Sequence, residues 1–213
     1  MNALGMVEVY SFTTAVCAAD VAAKAADVKV IAFDRTRPKS EAVPAPLVMQ
    51  VKIEGENAAV KAAVEAAKAY TEAEGTYIIS HVIPRPGQDM EKMAYLLDMN
   101  KDKYNKKLPK SFNGVDYELP EVDCAIGLLE VSGMVAAITG LDAMVKVADV
   151  SLIHSEKRLG GRLVTLIIKG SVSSVKAAVE AGAKAAKPLG KLHGEAVIAN
   201  PHGEIMKFFD FKD

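Results

Sequence analysis

Apolar positions along this 213-residue chain follow two alternating periods, and that alternation predicts its elements. Residues 3–9 (Ala-Leu-Gly-Met-Val-Glu-Val) and 125–131 (Ala-Ile-Gly-Leu-Leu-Glu-Val) are short apolar runs with a glutamate near the end, and they read as strands. After the first, Ala15, Val16, Ala19, Ala22 and Ala23 recur at three- and four-residue spacing, the stripe of a helix with one buried face. Residues 28–33, 47–53, 150–154 and 163–168 are runs rich in β-branched side chains and predict four more strands. Gly170-Ser171 opens an alanine-rich helix whose free backbone N–H groups Ser171 can cap, whereas Gly55-Glu56-Asn57 opens its counterpart less well. Lys61 and Glu65, four apart, mark that helix's exposed side.

The pattern occurs twice. At an offset of 122 residues the first strand meets its copy, and Asp20, Lys24, Ala26, Asp27 and Val28 meet Asp142, Lys146, Ala148, Asp149 and Val150. Further on the offset is 115: Val60-Lys-Ala-Ala-Val-Glu-Ala66 recurs as Val175-Lys-Ala-Ala-Val-Glu-Ala181, and the Val82-Ile-Pro-Arg-Pro86 run meets Val197-Ile-Ala-Asn-Pro201. The missing residues lie between the second and third strands, where the first copy carries residues 34–46 and the second only 156–162. Each copy therefore reads strand, helix, strand, loop, strand, helix, strand. The expected fold class is α+β, with helices packed on an antiparallel sheet. The expected division is a first domain at 1–86, a linker with a short helix at 87–122 and a second domain at 123–213. In the linker, Met90, Met93, Ala94, Leu96 and Leu97 form a stripe that reads as packing against a domain.

Composition narrows the function classes. Half the residues are hydrophobic and a quarter charged, with 26 basic against 27 acidic residues, so no basic footprint for nucleic acid is present. No apolar run approaches the roughly 20 residues that span a bilayer, and no basic-then-apolar leader opens the chain, so a cytosolic protein is expected. Cys17 and Cys124 allow one disulfide at most and read as reduced, buried thiols. His81, His154, His193 and His202 are too scattered for a metal signature, and no phosphate loop, nucleophile elbow or Cys/His nucleophile context occurs.

Taken in order, Ala-Leu-Gly-Met-Val-Glu, Lys24-Ala-Ala-Asp-Val28, Val-Lys-Ala-Ala-Val-Glu-Ala and His81-Val-Ile-Pro-Arg-Pro86 resemble the bacterial microcompartment (BMC) shell domain, and the second copy repeats the series. The resemblance covers nearly the whole chain apart from the linker and the last ten residues. It implies two tandem BMC domains of the unpermuted type, no catalytic activity and no cofactor. It also implies a homotrimer that mimics a hexamer and tiles edge to edge in the shell of a microcompartment in the bacterial cytoplasm. The implied partners are other copies, other shell proteins, encapsulated enzymes and small metabolites that cross a central pore. By the same resemblance Lys24 and Lys146 are edge lysines and Arg85 an edge arginine, with Asn200 where the second copy should hold arginine.

The family's loop between the second and third strands lines the pore. In the second copy that loop is Glu156-Lys157-Arg158-Leu159-Gly160-Gly161, with Leu159 and Gly160 expected at the constriction. In the first copy, Arg35, Arg37, Pro38 and Lys39 belong to a longer loop with three prolines and no glycine, expected to reshape or partly cover the pore. Tripled about an axis, Arg35, Arg37, Lys39, Lys157 and Arg158 would favour anionic solutes; alternatively they are solvated charges balanced by Asp34, Glu41 and Glu156. Neither loop holds the cysteine that an axial iron–sulfur cluster requires. The rival reading is a small-molecule-binding regulatory trimer whose long basic loop clamps an anionic ligand.

Overall fold

The computed structural model describes residues 2–36, 43, 45–87, 90, 94, 119–157, 159–160 and 162–209. The first half runs β1 (Ala3–Tyr10), α1 (Phe12–Ala25), β2 (Val28–Thr36), β3 (Val48–Gly55), α2 (Asn57–Ala73) and β4 (Tyr77–Ile83). The second half repeats it as β5 (Ala125–Ser132), α3 (Met134–Val147), β6 (Val150–Glu156), β7 (Leu163–Gly170), α4 (Val172–Ala186) and β8 (Leu192–Ile198), and ends in a short helix, α5 (Gly203–Met206). Each half carries a four-stranded antiparallel sheet, in the order β2-β3-β1-β4 and β6-β7-β5-β8. The duplicated α+β architecture expected from the repeat is therefore present. Strands β2, β6 and β7 run two or three residues further than their apolar runs, because hydrogen-bonded pairing continues past the last apolar side chain.

The period of two in each central strand assigns its faces. A Cβ on Gly5 would lie 2.7 Å from the side chains of Val60 and Val64, so Gly5, with Ala3, Val7 and Val9, faces α2. Gly127 repeats this under α4, 2.5 Å from Val179 and 2.8 Å from Val175. Leu4, Met6 and Glu8 point to the opposite face, as do Ile126, Leu128 and Glu130 in β5. Ala-rich helices allow this close approach, since a methyl side chain keeps the helix axis near the sheet.

Local capping follows the sequence. Ser171 caps α4, its hydroxyl accepting from the Ser174 N–H at 3.1 Å, while Glu56 before α2 makes no side-chain cap. Cys17 is buried on α1 and burial pushes its thiol up to about 11, whereas Cys124, expected buried, is half-exposed at the start of β5. Met90 and Ala94 of the linker pack with Leu4 and Ile31 on the outer sheet face of the first half; Met93, Leu96 and Leu97 lie outside the described residues. Beneath that patch Lys52 forms a buried ion pair with Asp34 and donates to the Ala94 carbonyl at 3.3 Å.

Gly127→Ala should lower stability by about 1–3 kcal/mol, because the β-branched Val175 and Val179 cannot swing away from the added methyl. Urea denaturation of the variant against wild type checks it.

Candidate assembly site

The two halves meet through α1 of the first and the outer face of β5 in the second. Ser11 sits at φ 77, a left-handed position that turns the chain sharply from β1 into α1. Its hydroxyl accepts from the Thr14 N–H at 3.2 Å and donates to Glu130 Oε2 at 3.0 Å. The Thr13 N–H donates to the same oxygen at 2.8 Å. A carboxylate from one half thus closes the positive N-terminus of a helix in the other. Glu130 is fully buried, and that burial raises its pKa above the ordinary 4.5 against the opposing pull of its Thr13 and Ser11 donors. Gly194 of β8, paired with Glu130, lets the strands come against α1: a Cβ there would stand 2.9 Å from the Thr13 Cβ.

The chain's last described segment seals the far end of the same seam. The His202 N–H donates to Asp20 Oδ1 at 2.7 Å, and the Val30 N–H donates to Glu204 Oε2 at 2.6 Å. Phe209 packs edge-on against Phe12 and Phe208 against Phe33, with centroids 6.4 and 5.0 Å apart. These rings join both halves in one apolar cluster.

Because the halves are copies, the face of α1 used in this seam has an equivalent on α3, and that equivalent is bare. Thr13 is 3% exposed but its counterpart Val135 is 69% exposed; Val16 is fully buried and its counterpart Ile138 is 61% exposed. Leu152 of β6 is likewise exposed where Val30 of β2 is buried. On the other half, Ile79 stands exposed beside Glu8 on β4, where the second half has Gly194 beside Glu130. Each chain therefore has one filled seam and the two unfilled sides of another.

The residues expected at an edge are at the surface. Lys24 pairs with Asp20 at 2.5 Å and Lys146 with Asp142 at 2.6 Å, each one turn apart on the C-terminal part of its helix. Asp20 is buried by the seam, which holds the first pair tightly; Asp142 is open, and so is the second pair. Arg85 is exposed and lines an open cavity of about 620 Å³ with Asn2, Glu56, Asn57 and Pro84, and Asn200 is exposed after β8. Among the described residues no hydrogen bond or ion pair joins Lys24 to Arg85 or Lys146 to Asn200.

Of the loop residues expected at a pore, Arg35 and Lys157 are exposed at the ends of β2 and β6. Arg37, Pro38, Lys39, Arg158 and Gly161 lie outside the described residues. Leu159 is 3% exposed and belongs to the large apolar cluster, so its side chain turns into the protein. Gly160, at φ 88, makes the turn and accepts from the Leu163 N–H at 3.0 Å. Asp34 and Glu156 are buried, the former paired with Lys52, so neither is a surface counter-charge for the loop lysines and arginines.

The residues 3–86 and 125–201 match the BMC domain. The chain belongs to the BMC-domain family, with two copies in tandem. The carboxysome assembly protein CcmO of Synechococcus elongatus is 34% identical over 205 residues, covering 96% of this chain and 67% of that protein. Bacterial microcompartment shell protein PduA of Salmonella typhimurium is 47% identical over 83 residues, 39% of this chain and 87% of PduA. Bacterial microcompartment shell protein EutM of Escherichia coli is 45% identical over 85 residues, 40% of this chain and 87% of EutM. A solved microcompartments protein from Desulfitobacterium hafniense aligns over 97% of this chain and 99% of its own at 24% identity, with a TM-score of 0.37, too low to carry an argument.

Within this BMC tandem, Ser11, Thr13 and Glu130 stand outside the edge and loop residues that the motifs single out. The glutamate was visible as a repeated position; what hid its role is that its partners lie 117 and 119 residues away. Ser132 and His193, 2.8 Å apart in the second half, were also missed. Burial lowers the His193 pKa, and among the described residues its Nδ1 has no hydrogen-bond partner.

Glu130 sets a pH dependence. Its folded pKa is raised, so the native state holds a proton that the unfolded chain gives up; stability falls as pH rises from 4.5 through the folded pKa, then levels. Glu130→Gln should remove that slope while keeping an acceptor for Ser11 and Thr13. Denaturation midpoints of the two proteins from pH 4 upward check it.

Proposed function

We propose that the chain is a structural tile of a bacterial microcompartment shell, in the bacterial cytoplasm, with no catalytic activity of its own. The family supports the shell role, and the relatives named for microcompartment shells and carboxysome assembly point the same way. Among the described residues no helix is long and apolar enough to cross a membrane, and no three His, Cys, Asp or Glu side chains gather as a metal set. The tile comprises domains at 1–86 and 123–213 joined by residues 87–122.

The single observation that carries assembly is the bare apolar face of α3, equivalent to a face that the chain buries on α1. Covering exposed side chains such as Val135 and Ile138 contributes roughly 1–1.5 kcal/mol each. A seam that joins unlike surfaces repeats from copy to copy until it closes, and three two-domain chains give six similar units around one axis. In that homotrimer the loops with Arg35, Arg37, Pro38, Lys39, Lys157 and Arg158 gather at the axis, and the backbone of Gly160 and Gly161, with Leu159 anchoring the loop from within, frames a pore for small anionic metabolites. Lys24, Lys146, Arg85 and Asn200 then stand on the rim, where tiles meet one another and other shell proteins. Encapsulated enzymes are the partners on the lumenal side.

Light scattering of the purified protein should give the mass of three chains, and electron microscopy at higher concentration should give hexagonally packed sheets. Replacing Lys24 and Lys146 by Ala should weaken the sheets and leave the three-chain particle intact. A discrete particle that never forms sheets would move the assignment to a regulatory, ligand-binding trimer.

A further inference from the structure

The filled seam and the unfilled one differ at the position that closes the helix. At α1 the closing group is the Ser11 hydroxyl; at α3 the equivalent residue is Gly133, which has no side chain to offer. Arg162 takes its place. It is held at φ 65, its carbonyl accepts from the Gly133 N–H at 2.8 Å, and a guanidinium nitrogen lies 3.4 Å from where a Cβ on Gly133 would sit. In the first half the equivalent residue is Leu47, fully buried and apolar. Arg162 is exposed, and among the described residues no carboxylate pairs with it. A cation has therefore been added beside a helix N-terminus that already favours an anion.

The complementary anion is on the other half. Glu8 is the counterpart of Glu130, on the same outer face of its sheet, but it is half-buried, and among the described residues its only hydrogen bond is from Gln50 Nε2 to Oε1 at 3.2 Å. Oε2 remains available. Size explains the change from serine to arginine. Gly194 and Thr13 come together across the filled seam, whereas their counterparts on the unfilled sides are the larger Ile79 and Val135, both exposed. Between larger side chains a hydroxyl is too short to bridge, whereas an arginine has the reach.

We propose that Glu8 of one copy docks on the N-terminus of α3 in the next and forms an ion pair with its Arg162, the inter-chain counterpart of the Ser11–Glu130 contact within the chain. The occupant of the bare α3 face is a second copy of this chain, presenting β1 and β4. This rests on the self-assembling tile reading and adds the residues that hold the copies together.

The test is a charge exchange read by sedimentation over a dilution series: wild type, Glu8→Arg, Arg162→Glu and the double variant, with circular dichroism on each. Each single variant should shift dissociation to concentrations on the order of 30-fold or more higher, with the fold retained, and the double should recover most of that loss. Arg162→Gln and Glu8→Gln, which remove one charge without reversing it, should give the same direction and cover any failure of the reversed charges to fold. An assembled wild type whose single variants dissociate no more readily, or whose double variant is no better than the worse single, overturns the pairing and leaves the tile reading standing. A wild type that stays a single chain at every concentration overturns both.

Discussion

A carboxylate buried at the end of a helix from the other half of the chain is the contact on which the rest of the molecule depends. Glu130 has no solvent to return to, so Ser11 and Thr13 must stay where they are, and this fixes α1 against β5. Once α1 is fixed, Phe12 and Phe33 present a surface that Phe208 and Phe209 cover, and Asp20 is placed to accept from His202. The two copies of the repeat are thereby one body with a defined angle between them, not two beads on a linker.

In the proposed assembly, that fixed angle is what makes a tile. A domain pair that flexed would present its bare α3 face in many directions and could not close a ring. A rigid pair presents it in one direction, so that each copy added in the proposed assembly would repeat the same rotation. Duplication supplies the rest: the surface that α3 needs already exists on β1 and β4, because β5 and β8 offer its copy to α1. The copies differ at the positions that line the seam: serine and glycine stand at the filled intra-chain seam, and Arg162 and Ile79 stand on the exposed equivalents.

Much of this was legible in the chain as letters. The apolar run of residues 3–9, the helical stripe of Ala15 to Ala23 and the repeat at 122 and 115 residues give the order of elements along the chain and the duplication. Loop glycines and the helical lysines were visible as motifs. What pattern alone could not reach depends on burial across the seam. Leu159 reads as a loop residue because its neighbours are Arg158 and Gly160, yet its side chain belongs to a core contributed largely by the other half. Asp34 reads as a solvated loop charge until the partner strand places Lys52 beside it. The signal that was available is the difference between copies: Thr13 against Val135, Ser11 against Gly133, Leu47 against Arg162. Positions where an exact repeat changes character mark where the two copies meet different neighbours.

The measurement that tests the account most directly is a cross-link across the unfilled seam. With Ile79→Cys and Val135→Cys in one chain, mild oxidation should yield covalent dimers and trimers on a denaturing gel and nothing larger. Monomers alone would contradict the repeated seam, and a ladder running beyond three chains would contradict its closure.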